Sequence, residues 1–258
     1  MTDLLSDSNR PDSTTKRKNK KNENKQMANK KNPNAETFDA LTSSEVFYEK
    51  YKKTIITVIV ALVVLVGGFF AYRSLIAAPR AEKASTALAR GQEYFDNEMF
   101  DKAVNGDGAG YVGFAKIADD YSGTDAANLA NLYAGLSYAN LNKWAEAEKY
   151  LEAYSPSSDQ MVSPAAEAAL GDAYAHLNQL DKAVDQFKKA ASMADDEGHN
   201  GVNNSLSPTF MLKAGMILES QGKKADALKV YQDIKKNYAA SQLVQSNEID
   251  KYIERASN

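Results

Sequence analysis

The chain has 258 residues, 43% of them apolar and 25% charged, with a formal charge of -3 and no cysteine. That is enough apolar material for one or two packed domains, and the missing thiols exclude disulfides, thiolate metal sites and cysteine nucleophiles. From Arg73 onward 19 Lys and Arg face 26 Asp and Glu, so the region most able to fold is acidic, which argues against nucleic acid as a partner.

Residues 1–53 carry 12 Lys and Arg against 8 Asp and Glu, with much Asn and Ser. Such a composition buries too little apolar surface to offset the entropy of folding, and predicts a disordered basic tail. Within it Met27 opens "MANKKNPNAETFDAL", which reads as a natural start and makes 1–26 an upstream extension of the reading frame.

Residues 54–72, "TIITVIVALVVLVGGFFAY", contain no charge and 12 Leu, Ile, Val or Phe. As a helix this run is roughly 28 Å long, close to the hydrocarbon thickness of a bilayer, so it predicts one transmembrane helix. A buried core helix and a secretory signal are the alternatives. The first is usually shorter with a polar face, and the second has a shorter apolar core and a cleavage site that Pro79 disfavours. Lys50, Lys52 and Lys53 crowd the N-terminal edge, which places the N-terminus in the cytoplasm and the acidic region outside it. Phe47, Tyr48, Tyr51 and Tyr72 are interfacial candidates. Residues 73–83 read as a linker or helix extension.

From residue 84 the chain repeats. Residues 84–127 contain Gly91, Tyr94 and Ala103, a turn near Asn97, and then Phe114, eleven positions after Ala103. Segment 128–161 sets Gly135, Tyr138 and Ala147 at the same spacing, but there the bulky Leu151 follows Ala147 by four. Segment 164–197 repeats it most fully, with Leu170, Gly171, Tyr174, Ala183, Phe187 and Ala190, and 208–241 does so with Gly215, Leu218, Ala227 and Tyr231. This pattern resembles the tetratricopeptide repeat, a helical hairpin of about 34 residues. Small residues let the two helices of a hairpin approach, a bulky one fills the space beside them, and neither helix buries its apolar face without the next pair. The segment "LNK", its counterpart "LNQL" and the Gly of "SQGKK" supply left-handed turns. Residues 198–207 are a polar loop, and the amphipathic 242–258 a capping helix. The resemblance therefore implies an all-α fold: one transmembrane helix followed by an α-solenoid of hairpins.

The first unit is degenerate. Seven extra residues enter its second helix, and they fall in "NGDGAGYVGF", with four glycines in ten positions. A phosphate loop needs a preceding strand and a following Gly-Lys-Ser/Thr, and a calcium loop more oxygen ligands and a terminal Glu. The stretch reads instead as an insertion interrupting a helix, and as a contact for a membrane neighbour if it acts at all.

No G-x-S-x-G, H-E-x-x-H, P-loop or dinucleotide motif occurs, and the two histidines lack companion ligands, so neither catalysis, a metal nor a cofactor is expected. The repeat family implies a protein-binding groove built from Leu129, Leu132, Leu136 and Asn140 of one unit, Asp172 and His176 of the next, and Leu212, Met216 and Glu219 of the last. The alternative is that the leucines pack beneath the preceding unit. The Lys/Asn clamp for a terminal peptide carboxylate is not visible. Basic tail, single span and exported repeats together resemble the ancillary subunits of the bacterial Sec translocon. That layout implies an inner-membrane protein with a periplasmic domain, whose partners are the translocon, exported chains or other envelope proteins. A scaffold for outer-membrane or cell-wall machinery is the other reading.

Overall fold

The computed structural model describes residues 33–159, 161–196 and 198–258. The Met27 start and residues 1–32 of the basic tail lie outside the described residues. The chain divides into two compact units, with the boundary between Ala71 and Tyr72.

In the first unit, helix α1 covers Pro33–Tyr72. The tail expected to be disordered through residue 53 is thus helical from 33 on. Extending an existing helix costs far less than nucleating one, and neighbours one turn apart reinforce it: Lys52 Nζ lies 3.3 Å from Glu49, and the Phe47 and Tyr51 rings are 4.8 Å apart. Among the described residues one helical stretch, Glu45–Asp96, is long and apolar enough to cross a membrane, with a mean hydropathy of 2.7 in its most apolar window. None of that window is buried, so it is no core helix of this fold.

The second unit opens with a π-helical turn, Arg73–Ala77, followed by α2 (Ala78–Asp96), α3 (Phe100–Asn105), α4 (Phe114–Asp120), α5 (Asp125–Asn140) and α6 (Trp144–Ala153). After these come α7 (Val162–His176), α8 (Leu180–Asp196), α9 (Ser207–Ser220), α10 (Lys224–Asn237), the short α11 (Gln242–Gln245) and α12 (Glu248–Ser257). They pair as successive hairpins, α5 with α6, α7 with α8 and α9 with α10, each packed on the next.

One glycine per hairpin sets the approach distance. A Cβ added at Gly91 would come within 2.3 Å of Phe114, at Gly135 within 2.6 Å of Leu151, at Gly171 within 3.1 Å of Phe187 and at Gly215 within 2.3 Å of Tyr231. The turns are equally regular. Asn142, Asn178 and Gly222 take positive φ, and the next residue's N–H donates back to Tyr138, Tyr174 and Leu218 at 2.8–2.9 Å. In the first hairpin that role falls to Glu98 rather than Asn97, with Met99 N–H donating to Tyr94 at 2.8 Å.

These contacts grade the glycines. Gly215→Ala should lower stability by about 1–3 kcal/mol, because the new methyl meets a buried ring, whereas Gly171→Ala should cost under about 1 kcal/mol. Urea titrations of the two variants followed by circular dichroism compare them directly, and equal midpoints would contradict the ranking.

The insertion splits the second helix of the first hairpin into α3 and α4. Phe114 is nevertheless fully buried over Gly91 and stacks on Tyr133 at 5.1 Å. The chain restores the register by pinching the loop shut: Gly106 and Gly113 have φ of 97° and 90°, and a Cβ on Gly113 would lie 2.3 Å from the Val104 carbonyl. Arg80 locks the far end, donating to the carbonyls of Ser122 (3.0 Å) and Asp120 (2.9 Å).

The apolar residues form two clusters. One joins the first hairpin to α5 and α6 through Phe114, Ile117, Ala130, Ala134 and Tyr150. The other runs from Leu132 and Leu151 through Phe187 and Tyr231 to Ile249 of α12, which caps the array. The 198–207 loop is anchored at its base. Asp195 accepts from Asn203 N–H (2.8 Å), Ser207 Oγ (2.6 Å) and, from α10's end, Tyr238 Oη (2.5 Å).

Candidate interaction surface

The nine groove residues expected from the repeat register do not form one open surface. Leu132 is 6% exposed and belongs to the core, which corrects its placement on the binding surface: the helix-packing face of α5 claims it. Leu129, Leu136 and Leu212 are half-buried against the same apolar clusters. For these leucines the packing alternative accounts for most of their area. Met216 remains 46% exposed. Asn140 is exposed, its side-chain amide donating to the Leu136 carbonyl at 2.9 Å.

The polar members are engaged across hairpins. Lys213 Nζ of α9 lies 2.7 Å from Asp172 of α7, both side chains about two-fifths exposed. A pair this solvated contributes only about 0–1 kcal/mol, and its role is alignment of adjacent first helices. Glu219 takes two bonds from the Arg255 guanidinium, at 2.6 and 2.7 Å, and a third from Tyr231 Oη at 3.0 Å. The guanidinium, foremost, holds the Glu219 carboxyl below its ordinary value, while burial and then the Glu219 bond raise the Tyr231 phenol. Thus α12 is latched onto α9 and α10 together.

His176 stacks face to face on Trp144, with centroids 3.7 Å apart and planes within 3°. The pair couples the second hairpin to the third. Trp144 is the chain's one tryptophan, so its emission reports this junction. His176→Ala should shift that emission to the red, and an unchanged spectrum would show that the ring is shielded by other groups.

Lys213, Arg255 and Trp144 were missed as surface residues. Their partners lie about one repeat away in sequence, and only the stacking of hairpins brings them together. Of the expected residues, Asn140, His176 and Met216 stay exposed, and the Asp172–Lys213 pair is partly so.

The glycine-rich loop is organised inward. Asp107 accepts from Tyr111 N–H (2.9 Å), Ala109 N–H (2.8 Å), Tyr94 Oη (2.8 Å) and Arg90 (3.2 Å). These donors, the Tyr111 and Ala109 amides first, lower its carboxyl to about 2. The turn into α7 is tied in the same way. Burial there pushes the Asp159 carboxyl up, but the Ser163 hydroxyl and the amides of Ser163, Met161 and Val162 outweigh it and hold the group at about 2. Both carboxylates are depressed below their unfolded values. Their stabilisation is therefore complete above about pH 4 and lost as pH falls through about 2. Acid titration should loosen both turns across that window, and Asp159→Asn should remove part of the dependence.

The family model described as a tetratricopeptide repeat-like domain matches residues 45–250. The chain belongs to that family. The matched region takes in the apolar helix as well as the hairpins. No curated protein matches the chain. Among solved structures, the tetratricopeptide-like chain is similar to nearly identical TPR-like repeats assigned to a kinesin light chain of Podosopora anserina. Identity is 12%, coverage is 69% of this chain and 94% of that one, and the TM-score is 0.49. A tetratricopeptide repeat-like domain is a protein–protein interaction module, and such repeats are in general scaffolds rather than catalysts.

Proposed function

We propose that the chain is a single-span membrane protein that holds its repeat domain on the far side of the cytoplasmic membrane as an accessory to the Sec translocon or to the chaperoning of exported proteins. One observation carries the membrane part: an apolar window of mean hydropathy 2.7 is wholly unburied, in a chain whose hairpins build their own core without it. Lys50, Lys52 and Lys53 at its N-terminal edge favour a cytoplasmic N-terminus. The anchor raises the local concentration of the repeat domain beside a membrane complex, so that weak contacts suffice. Met216, His176, Asn140 and the Asp172–Lys213 pair are the contact residues of this reading, with half-buried Leu129, Leu136, Leu212 and Glu219 beneath them.

Cross-linking in native membranes followed by detergent extraction tests it. Recovery of the Sec channel or of exported chains with the protein supports the reading. Abundant cross-links to outer-membrane or cell-wall assembly subunits, with the Sec channel absent, would overturn it.

A further inference from the structure

The third and fourth hairpins are joined by different chemistry at their two ends. Near the turns, Asp181 at the start of α8 accepts from Lys223 Nζ at 2.7 Å and from the Gln221 amide at 2.9 Å, and midway along the first helices Asp172 accepts from Lys213. The Lys223 and Asp181 side chains are 44% and 78% exposed. At the other end Asp195, next to last in α8, accepts from Ser207 Oγ at the start of α9 and from Tyr238 Oη just past α10. Here Ser207 is fully buried and Tyr238 nearly so. Solvated ion pairs close one end, and a carboxylate bonded to two buried side chains closes the other.

These ends respond differently to the medium. A charge pair in water is weak and salt screens it, over a length of about 10 Å at 0.1 M that falls to about 3 Å at 1 M. Hydrogen bonds from buried hydroxyls to a carboxylate are stronger and scarcely screened. Between the ends Lys213 also lies over the Phe187 ring, 5.2 Å from its centroid, which holds the middle of α9 in place. The turn end is therefore the free end of a lever.

Two further observations mark this junction. Gln221 Oε1 is buried at the turn end with no hydrogen-bond partner among the described residues, so the closed arrangement carries a standing cost that opening to water removes. The preceding junction is built otherwise: turn against turn, His176 stacks on Trp144 at 3.7 Å, a contact that salt does not loosen. At the far end of the array, buried Ile249 and the Arg255–Glu219 bonds tie α12 to α9 and α10, so that the fourth hairpin and the cap form one body.

We propose that the fourth hairpin and its cap swing about the Asp195 bonds, opening at the turn end when salt or a charged partner competes for the Lys223–Asp181 pair. The swing changes the spacing between His176 of the third hairpin and Met216 of the fourth, so a partner that touches both is coupled to the opening of the junction. That coupling rests on the contact residues proposed above, whereas the swing itself does not.

The chain lacks cysteine, so nitroxide labels can be placed in pairs at exposed positions of the full chain in detergent micelles. Lys182→Cys with Ala225→Cys reports the turn end of this junction, Ser192→Cys with Lys236→Cys its loop end, and Ala145→Cys with Lys182→Cys the turn end of the preceding junction. Dipolar electron paramagnetic resonance at about 0.1 M and about 1 M sodium chloride measures the three separations. The first should lengthen by about 2 Å or more, the scale of helix shifts at packed interfaces, while the other two stay fixed. Lys223→Gln at low salt should reproduce the lengthening, and Asp181→Asn should do so from the partner side. A first separation that stays fixed, or that lengthens only together with either of the others, would overturn the proposal. So would low-salt separations in both charge variants that match those of the parent chain.

Discussion

Phe114→Ala should cost about 3–5 kcal/mol of folding stability, the range for truncating a buried aromatic to alanine. The ring is 0% exposed, stacks on Tyr133 at 5.1 Å and fills the space left by Gly91. Urea unfolding of the full chain in detergent micelles measures it. A loss below about 1 kcal/mol would mean that the insertion leaves α4 loosely docked, contrary to the packing described. The same variant separates two views of the insertion. If it merely interrupts a helix, Phe114 is dispensable; if it re-enters the register, Phe114 matters as much as Phe187 or Tyr231 in the later hairpins.

The second large effect concerns the apolar run. The double variant Val63→Lys/Leu65→Lys places two charges near the middle of the span, each costing about 2.5–3.5 kcal/mol on insertion scales. Both side chains are exposed, at 64% and 73%, so the substitutions disturb no internal packing. Under the membrane-anchored reading the protein should move from the alkali-resistant membrane pellet to the soluble or aggregated fraction, with the helical signal of its hairpins retained. A variant that still pellets after alkaline extraction would argue that the run is held by something other than lipid.

Much of this architecture could be read in advance, because the residues that encode it are local. Gly135 and Leu151, or Gly171 and Phe187, lie within one hairpin, and their spacing is a direct image of two helices in contact. The turn asparagines are legible for the same reason, since a left-handed residue after a helix leaves few candidates. Even the broken register at Phe114 showed as a change of spacing. The contacts that commit the surface were not visible. Lys213 meets Asp172, and Arg255 meets Glu219, across gaps of 41 and 36 residues, and no periodicity ties one surface charge to another at that range. Leu132 was misplaced because a groove position and a core position differ by a small rotation of α5 about its axis. Asp195 binds two loop groups and Tyr238, the last 43 residues away, and no local pattern marks such a partner. The helix over 33–53 was missed because composition measures what a segment buries alone and not what it gains as the extension of a neighbour.

The two apolar clusters share the second hairpin as a common wall, with half-buried Leu129 and Tyr138 touching both. Denaturation therefore has a natural seam. The first hairpin can open as one cooperative segment while hairpins two to four and the cap stay folded, and amide exchange in α2, α3 and α4 should then run ahead of that in α8 and α10. Because α2 is the segment that joins the N-terminal helix to the hairpins, the first hairpin is also the part that would yield first under a pull on that helix. In that event Arg80, gripping the carbonyls of Asp120 and Ser122, would be the fastener that sets the yield point.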